Sequence, residues 1–357
     1  TKTAVVRYCK PMPDTQPNIE IRINDERKFF YPREGSLLQA LKKENIFVPS
    51  ACGGRGICGL CRVRVTAGAP RDLTEQERTH LGEDEIRNSF RLACQVALGA
   101  SGGAEGSLRV EIPRSYFEAR EFRATVADIR ALTSDIREVR LELVNPKNIS
   151  FKCGQYIQFR IPPYAGHRKI LYRAYSIASP PSQDSSIELE IRRVRVGLGT
   201  TYIFDHLKKG DAVAFNGPHG EFFLHETGKP LVMIAGGSGM APMKSMLCHM
   251  RDCKLARPVR YFFGARSRAD LFYLDLMREF ERCLPDFKFI PAVAALQPGE
   301  QWEGESGRID EVVARRLEGN FPGEAYLCGS PAMIDACRKV LAQKGVTDDR
   351  IFYDKFA

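Results

Sequence analysis

Residues 49–65 read PSACGGRGICGLCRVRV, and this stretch decides how the first part of the chain folds. Cys52, Cys58 and Cys61 lie within ten positions, and Cys94 follows thirty-three positions after Cys61. Thiolates are soft ligands suited to iron–sulfur clusters or zinc, and this order of cysteines is typical of a plant-type [2Fe–2S] site. A structural zinc site is the alternative, but zinc usually takes two short CxxC hooks and here there is one. The ligand loop is rich in glycine, which permits a backbone to wrap closely around a cluster: Gly53, Gly54, Gly56 and Gly59.

The bulk composition describes a globular protein of two or three domains. The chain has 357 residues, 43% hydrophobic and 27% charged, with a net charge of +9 that is dispersed along the chain. This distribution argues against a nucleic-acid partner and favours an acidic protein partner. Eleven unevenly spaced cysteines favour metal binding in a reducing compartment over a disulfide framework. No window of the sequence approaches 18 consecutive apolar residues, and the N-terminal residues lack an apolar h-region, so we expect neither a membrane span nor a signal peptide in this sequence. We therefore expect a cytoplasmic location, or one at the inner face of the membrane if a partner holds the chain there.

The hydrophobic pattern divides the chain into an extension and three domains. Residues 1–17 carry three prolines and predict an irregular extension. Residues 18–115 predict a small α+β domain: two strands, a helix capped by Ser36, the cysteine loop and one closing strand. Over 118–226, short alternating segments separated by turns predict an antiparallel β-barrel. Over 227–357, strands alternate with helices, as in an α/β domain with a doubly wound parallel sheet.

The cysteine stretch, followed by RLACQV at 91–96, resembles the ferredoxin module of the two-iron flavin reductases. That family includes the reductase components of phenol hydroxylase and soluble methane monooxygenase, and the F subunit of the sodium-pumping NADH:quinone reductase. The resemblance runs from about residue 18 to the C-terminus. It implies a β-grasp ferredoxin-like domain with a [2Fe–2S] cluster on Cys52, Cys58, Cys61 and Cys94, a β-barrel FAD domain and an NAD(P)-binding domain.

The string Arg173-Ala174-Tyr175-Ser176 is similar to the flavin motif of this family. Alone, an arginine and an aromatic residue on a strand are usually packing residues. The resemblance implies that Tyr175 lies against the isoalloxazine ring, Arg173 neutralises the pyrophosphate, and Ser176 hydrogen-bonds flavin N5.

A second flavin motif is GLGTT at 197–201, which directly precedes an apolar, helix-like run. A glycine-rich turn at a helix N-terminus is an anion site, although a plain helix start would look the same. The family places the FAD pyrophosphate at the matching position. The predicted contacts are Gly199, Thr200 and Thr201, assisted by Arg192. The string GPHG at 217–220 resembles a structural turn at the end of the family's barrel.

The predicted strand 230–236 runs into GGSGMAP at 236–242 and then into a helix, which is the context of a nucleotide-binding turn. A proline in the first helical turn is favourable. The spacing resembles that of ferredoxin-reductase-like domains rather than the G-x-G-x-x-G of dehydrogenases. The predicted binding residues are Gly236, Gly237, Ser238, Gly239, Met240 and Pro242.

The string GARSR at 264–268 lies where the family binds the adenosine ribose. With Gly264 at the strand end, Arg266 and Arg268 are placed to contact a 2′-phosphate, which would mean NADPH. Relatives with a similar GAR string mostly use NADH. We therefore predict NADH, with NADPH as the alternative.

Two C-terminal segments complete the predicted hydride-transfer site. The resemblance places Cys328 and Gly329 beside the nicotinamide ring, although Ser330 stands where the family has a second proline. A buried core cysteine is the alternative interpretation of Cys328. The chain ends YDKFA, similar to the acidic-x-aromatic string that family members carry near the flavin. The predicted catalytic residues are Ser176, Cys328, Asp354 and Phe356.

These features predict a reductase that passes electrons from NADH through FAD to the cluster and on to a protein partner. Arg55, Arg62 and Arg64 surround the cluster loop and suit an acidic docking partner. A soluble, oxygenase-type component is the main hypothesis, and an NADH-oxidising subunit of a membrane respiratory complex is the alternative. Strings such as FVPSACGG favour the alternative. However, that subunit carries a long insert before its flavin motif, whereas this chain has only the short segment Pro162–Tyr172 before Arg173. A non-catalytic iron–sulfur sensor is a third hypothesis, against which the intact hydride site argues.

Overall fold

The chain folds into two compact units. The computed structural model describes residues 18–50, 52–70, 72–99, 106–117, 119–296 and 299–356. The first unit runs up to Val48 and resumes over Gly54–Arg114, and the second comprises Pro49–Gly53 and the chain from Ser115 onward. The predicted extension 1–17 and most of the turn at 101–106 lie outside the described residues. Within those ranges, no helix has the length and apolar character to cross a bilayer.

The first unit is a five-stranded sheet with a helix packed on it. Alternation in β1 buries Ile19, Ile21 and Ile23 completely, while α1 buries Leu37 and Leu41 against the sheet. The elements are β1 Ile19–Ile23, β2 Arg27–Tyr31, α1 Leu37–Lys43, β3 Arg62–Ala67, α2 Glu75–His80, α3 Glu83–Arg87, β4 Phe90–Leu92 and β5 Ser107–Glu111. The strand order is β2-β1-β5-β3-β4, with β1 and β5 parallel. This is the β-grasp arrangement, and the predicted fold class of this domain is confirmed.

This domain contains more strands and helices than the sequence predicts. The prediction had three strands and one helix, whereas the structure adds β3, β4, α2 and α3. β3 follows the cysteine loop without a turn signal, and β4 has three residues, too few for a recognisable alternation. Both strands are stabilised by antiparallel pairing with each other, which is a tertiary contact.

The first half of the second unit is an antiparallel barrel, as predicted. Its strands are β6 Arg120–Ala131, β7 Ile136–Asn145, β8 Tyr156–Ile161, β9 Leu171–Ser176, β10 Ser186–Arg192 and β11 Ala212–His219. A short helix, α4 Leu198–Thr201, continues into a π-helical turn over Tyr202–His206, and a 3₁₀ turn over Arg114–Phe117 precedes β6. The strand order is β10-β7-β6-β11-β8-β9, and a bridge between Ile177 and Leu189 joins the two ends of the sheet.

GPHG at 217–220, predicted as a structural turn at the end of the barrel, lies at the end of the last barrel strand, because β11 continues to His219. The pairing of β11 with β8 shifts register between Asn216 and His219, so the glycine and proline lie in an irregular stretch of a strand.

The second half of this unit is a six-stranded, wholly parallel sheet. Its elements are β12 Leu231–Gly236, α5 Met240–Asp252, β13 Val259–Ala265, α6 Leu274–Cys283, β14 Phe287–Val293, β15 Glu305–Ser306, α7 Ile309–Arg316, β16 Glu324–Gly329, α8 Pro331–Gln343 and β17 Ile351–Lys355. Short 3₁₀ turns cover Gly237–Gly239, Arg268–Asp270 and Asp348–Arg350. The order β15-β14-β13-β12-β16-β17 reverses direction between β12 and β16. Ligands of doubly wound sheets bind at the carboxyl end of such a reversal point.

Two details of this sheet differ from the prediction. The hydrophobic pattern predicts neither β15 nor α7, and it predicts a helix over 270–283, whereas α6 begins only at Leu274. Tyr273 precedes this helix with φ 57°, a left-handed conformation that stops the helix from extending towards its N-terminus.

The barrel and the parallel sheet share one core cluster. Ile136, Cys153 and Phe222 of the barrel half pack with Met240 and Tyr261 of the sheet. The connecting segment is fixed by a buried arginine: Arg257 donates to the carbonyl oxygens of His225 and Lys229, both at 2.7 Å, and pairs with Glu324 at 3.1 Å. The exact domain boundaries at 115, 118 and 226 stay predictions.

Candidate active site

The cysteine loop has the backbone that its glycines suggest. Gly56 and Gly59 have φ of 77° and 65°, in the left-handed region. A Cβ on Gly56 would lie 2.8 Å from Gln95 Nε2, and a Cβ on Gly59 would lie 2.9 Å from the His80 ring. The side chains of Gln95 and His80 therefore pack closely against the loop backbone at these two glycines.

The thiols of this loop suit a cluster. Cys52 and Cys61 are buried. A hydrogen bond between Cys61 and Cys94, together with burial, raises the pKa of Cys61, and Cys58 adds to this effect. No disulfide joins any of the ten cysteines that the structure describes.

Two observations qualify the sequence-based interpretation of this site. Five residues separate Cys52 from Cys58, one more than in the plant-type C-x4-C-x2-C pattern. In the described ranges no three potential ligands converge on a single point. A two-iron cluster distributes four thiolates over two metal atoms, so it does not require such a point.

The arginines around the loop have partners of their own. Arg62 pairs with Glu85 at 3.3 Å, and Arg64 pairs with Glu111 at 2.9 Å. Arg55 is exposed. The neighbouring acids offset part of the positive charge that the sequence assigns to this surface.

The predicted flavin residues lie on β9. Tyr175 and Ser176 pair with Ile157 and Tyr156 on β8. The Tyr175 hydroxyl and Ser176 Oγ are buried and have no hydrogen-bond partner among the described residues. Burial raises the pKa of Tyr175, so its hydroxyl is neutral. Buried polar groups are normally paired, so two orphaned hydroxyls on one strand fit a bound polar group.

The glycine-rich turn before α4 lies against the flavin strand. A Cβ on Gly199 would be 2.7 Å from Arg173 Cγ, so the turn and the arginine are in contact. Arg173 donates to the Tyr172 carbonyl at 2.8 Å. Thr200 Oγ1 accepts from Val194 N at 3.1 Å and thus holds the turn itself. Ala174 lies within β9, and Thr201 ends α4.

The carboxyl ends of β12 and β16 meet at the predicted nicotinamide site. Gly237 has φ 57°, and a Cβ on Gly239 would lie 2.2 Å from the Cys328 carbonyl oxygen. Any larger residue at Gly239 would push these strand ends apart. Ser238, Met240 and Pro242 are buried and support the turn from within.

A cavity of about 210 Å³ opens beside this turn. Five predicted cofactor residues line it: Arg192, Gly236, Gly237, Gly264 and Arg266. Arg268, Cys328 and Gly329 are not part of its lining. Asp135, which no sequence motif singles out, lines the cavity and holds Arg192 through an ion pair of 2.7 Å.

The C-terminal residues are positioned by strand pairing. Cys328 lies opposite Asp354 on β17, and Phe356 N donates to the Gly329 carbonyl at 2.8 Å. Burial raises the pKa of Cys328, and Asp354 and Glu190 add to the effect. Burial also raises the pKa of the Asp354 carboxyl to about 6. Cys328 is completely buried on β16, between β12 and β17.

A second acid that the sequence analysis missed bears on the choice of coenzyme. Asp270 lines the same cavity as Arg266 and accepts from Ser267 N at 2.9 Å and Ser267 Oγ at 2.8 Å. Arg268 is engaged elsewhere, by Glu300 at 3.6 Å and the Gln301 carbonyl at 2.9 Å. A carboxylate at this position repels a 2′-phosphate and can accept from a ribose hydroxyl.

Replacing Asp270 with Asn is expected to raise kcat/KM for NADPH relative to NADH about tenfold, roughly 1.4 kcal/mol. The amide keeps the acceptor for Ser267 but removes the negative charge from the cavity. Steady-state kinetics with both coenzymes measure the ratio. Asp275→Asn is the control, because Asp275 is exposed and outside this cavity. An unchanged ratio in Asp270→Asn would contradict the role given to this carboxylate.

A buried charge cluster joins the barrel to α5. Lys244 Nζ contacts Glu138 at 3.1 Å and Glu188 at 2.8 Å, and the Tyr273 hydroxyl donates to Glu138. Burial alone would lower the pKa of Lys244, but Glu190, Glu188 and Glu138 outweigh it and raise the value. Glu190 is buried, and neither of its carboxyl oxygens has a hydrogen-bond partner in the described ranges. Its burial raises its pKa to about 8.

Three family matches cover most of the chain. Residues 21–99 match the 2Fe-2S iron-sulfur cluster binding domain, residues 123–224 the oxidoreductase FAD-binding domain, and residues 233–339 the oxidoreductase NAD-binding domain. Together with the fold and the site, these matches define the class of protein: an NADH-dependent flavoprotein reductase that carries FAD and a [2Fe–2S] cluster.

Whole-chain relatives identify the family. The F subunit of the Na(+)-translocating NADH-quinone reductase of Neisseria gonorrhoeae is 31% identical over 99% of this chain and 95% of its own. The same subunit of Methylococcus capsulatus is 32% identical over 95% and 91%. The chain belongs to the two-iron flavin reductase family that includes these subunits.

Solved structures agree with this assignment. The Amycolatopsis cytochrome P450 reductase GcoB is 27% identical, with a TM-score of 0.74 over 95% of this chain and 98% of its own. The ferredoxin reductase in carbazole 1,9a-dioxygenase is 26% identical, with a TM-score of 0.70 over the same shares.

Proposed function

We propose that this reductase delivers electrons from its cluster to a protein partner, as the NADH-oxidising component of an oxygenase or of another electron-transfer system. The observation that carries the proposal is that one chain joins a nicotinamide- and flavin-binding unit to a unit that carries Cys58, Cys61 and Cys94. When bound, FAD takes up a pair of electrons as hydride and gives them up singly, whereas the cluster carries one electron at a time. A chain that contains both sites is suited to one-electron acceptors.

The face around Cys58 is the proposed exit. Ile57 is 58% exposed and Leu60 40%, one on each side of this cysteine. Exposed apolar groups with a basic rim suit an acidic protein that docks close to the cluster. Arg55 supplies charge there, and Arg62 and Arg64 can contribute by exchanging their present acidic partners for those of the docking protein. We place this reductase in the cytoplasm, or at the inner face of the membrane when a partner subunit is there.

For each cofactor we propose a set of binding residues in this chain. Cys52, Cys58, Cys61 and Cys94 would ligate the two irons. Arg173, Ala174, Tyr175, Ser176, Arg192, Gly199, Thr200 and Thr201 would hold FAD. Gly236, Gly237, Ser238, Gly239, Met240, Pro242, Gly264, Arg266, Arg268, Cys328, Gly329 and Phe356 would hold or support NADH.

The proposed catalytic group consists of Ser176, Cys328, Asp354 and Phe356. Ser176 Oγ has no partner among the described residues and is available to hydrogen-bond a bound ring. The Cys328 thiol keeps its proton because burial raises its pKa, so it presents no negative charge to the coenzyme. Asp354, with a pKa of about 6, is largely ionised at neutral pH and can take up a proton as the pH falls. Phe356, fixed by its backbone bond to Gly329, would cover the ring face.

A respiratory role is the second candidate. It is favoured by relatives named as NADH-quinone reductase subunits that align with 99% of this chain. However, that alignment extends over 392 positions, longer than this 357-residue chain, so the relatives carry residues that this chain lacks. The short connection Pro162–Tyr172 is consistent with this difference and favours the oxygenase-type partner.

Cofactor analysis and an activity assay test the proposal together. We expect one FAD and two irons per chain in anaerobically prepared protein, with NADH oxidised faster than NADPH. A pull-down should then recover either an oxygenase component or a membrane subunit, which separates the two candidates. Zinc in place of iron would contradict the cluster assignment. A protein that holds iron but oxidises no NADH would support the sensor hypothesis instead.

A further inference from the structure

Gln95 directly follows Cys94 in the RLACQV motif, and its side chain contacts the sulfur of that cysteine. Gln95 Nε2 donates to Cys94 Sγ at 3.4 Å. Hydrogen bonds to cluster sulfurs are one of the factors that set the reduction potential of iron–sulfur centres. The motifs of this chain assign no role to this glutamine.

The backbone that carries Gln95 is held in a defined position. Gln95 N donates to the Leu92 carbonyl at 2.7 Å, and Ala93 N donates to the Cys61 carbonyl at 2.8 Å, so the turn that carries Cys94 is tied to the chain at Cys61. On the loop side, the position of a Cβ on Gly56 lies 2.8 Å from Gln95 Nε2. A side chain at Gly56 would therefore crowd the amide that donates to Cys94 Sγ.

A neighbouring glutamine provides a comparison. Gln76, on α2, reaches the same glycine: its Cγ lies 2.8 Å from the Cβ position of Gly56. No hydrogen bond from Gln76 to a cysteine sulfur is present among the described residues. The two side chains share the packing role beneath the loop, whereas the bond to sulfur belongs to Gln95.

We propose that Gln95 is a positioning residue that hydrogen-bonds the Cys94 thiolate of the assembled cluster and thereby raises the reduction potential of the cluster. This inference rests on the proposed ligation of the cluster by Cys94. Reduction adds one electron and makes the thiolate sulfurs more electron-rich. An N–H donor fixed beside one sulfur stabilises the reduced state more than the oxidised state. Gln95 would thus make the cluster a better electron acceptor.

The test is a potentiometric titration of the full-length holoprotein, followed by the EPR signal of the reduced cluster. We expect Gln95→Leu, which keeps the volume but removes the donor, to shift the midpoint to more negative potential. Gln95→Glu, which replaces the donor with an anionic acceptor, should shift it further in the same direction. Gln76→Leu is the matched control and should leave the midpoint unchanged.

Three results would overturn the inference or separate it from the proposed function. A Gln95→Leu protein with full iron content and an unaltered midpoint would refute it. So would an equal shift in Gln76→Leu, because the effect would then be one of packing. If Gln95→Leu fails to hold iron, the Gln95→Glu midpoint decides the matter. If the wild-type protein holds no iron, the cluster assignment itself has failed, which is a different outcome from an unaltered midpoint.

Discussion

Replacing Cys94 with Ala is expected to reduce NADH-dependent reduction of cytochrome c to background while leaving reduction of ferricyanide intact. The variant lacks one of the four proposed cluster ligands. Ferricyanide can take electrons directly from the flavin, whereas we expect cytochrome c to be served by the cluster. Cys94 lies in the first unit, and the flavin and nicotinamide residues lie in the second, which has its own core. The variant should therefore lose only the transfer of electrons through the cluster to cytochrome c.

Both activities are measured on the same preparation, with FAD and iron determined alongside. Cys283→Ala controls for the loss of a thiol, because Cys283 is exposed at the end of α6. Arg173→Ala should act at the earlier step: we expect weaker FAD retention and loss of both activities, with the cluster spectrum intact. Full cytochrome c activity in the Cys94 variant would show that electrons leave from the flavin, and the proposed order of transfer would be wrong.

The architecture could be predicted from the sequence because its signals are local. Alternation buries Ile19, Ile21 and Ile23 on one face of β1, and the same period defines the barrel strands. A buried strand followed by glycines and a helix marks the nucleotide turn at 236–242, and this signal does not depend on distant parts of the chain. The cysteine loop is also a local signal, because three cysteines lie within ten positions.

The residues that complete the site could not be predicted, because distant contacts give them their roles. In the sequence, nothing distinguishes Asp270 from other acidic residues of a helix-like stretch. Its role depends on the fold, which places it in the same cavity as Arg266. Asp135 lies at a barrel turn, far along the chain from its partner Arg192. A lysine on a helix is normally expected at the surface, yet Lys244 of α5 is buried against two glutamates of the barrel. β4 is a similar case, since its three residues form a strand only because β3 pairs with them.

Replacing Glu190 with Gln is expected to stabilise the second unit at alkaline pH, and the sign follows from the direction of its pKa. Burial raises the pKa of Glu190 from 4.5 to about 8, and the charges of Glu138 and Glu188 add to this effect while the charge of Lys244 opposes it. The folded state then holds this proton more tightly than the unfolded state does. Glu190 therefore costs no stability below about pH 4.5, where both states are protonated. Its cost grows as the pH rises towards 8 and is constant above that value.

The full cost above pH 8 is on the order of 5 kcal/mol, from about 1.4 kcal/mol per pKa unit. Glutamine has the shape of the protonated acid but cannot ionise, so Glu190→Gln should match the wild type near pH 4.5 and become progressively more stable towards pH 8. Denaturant unfolding of the FAD-loaded protein across this range measures the difference. Glu142→Gln, an exposed glutamate paired with Arg140 on the same sheet, should follow the wild type throughout. A difference between Glu190→Gln and the wild type that does not change with pH would mean that Glu190 is ionised when folded, with Lys244 shared among three carboxylates.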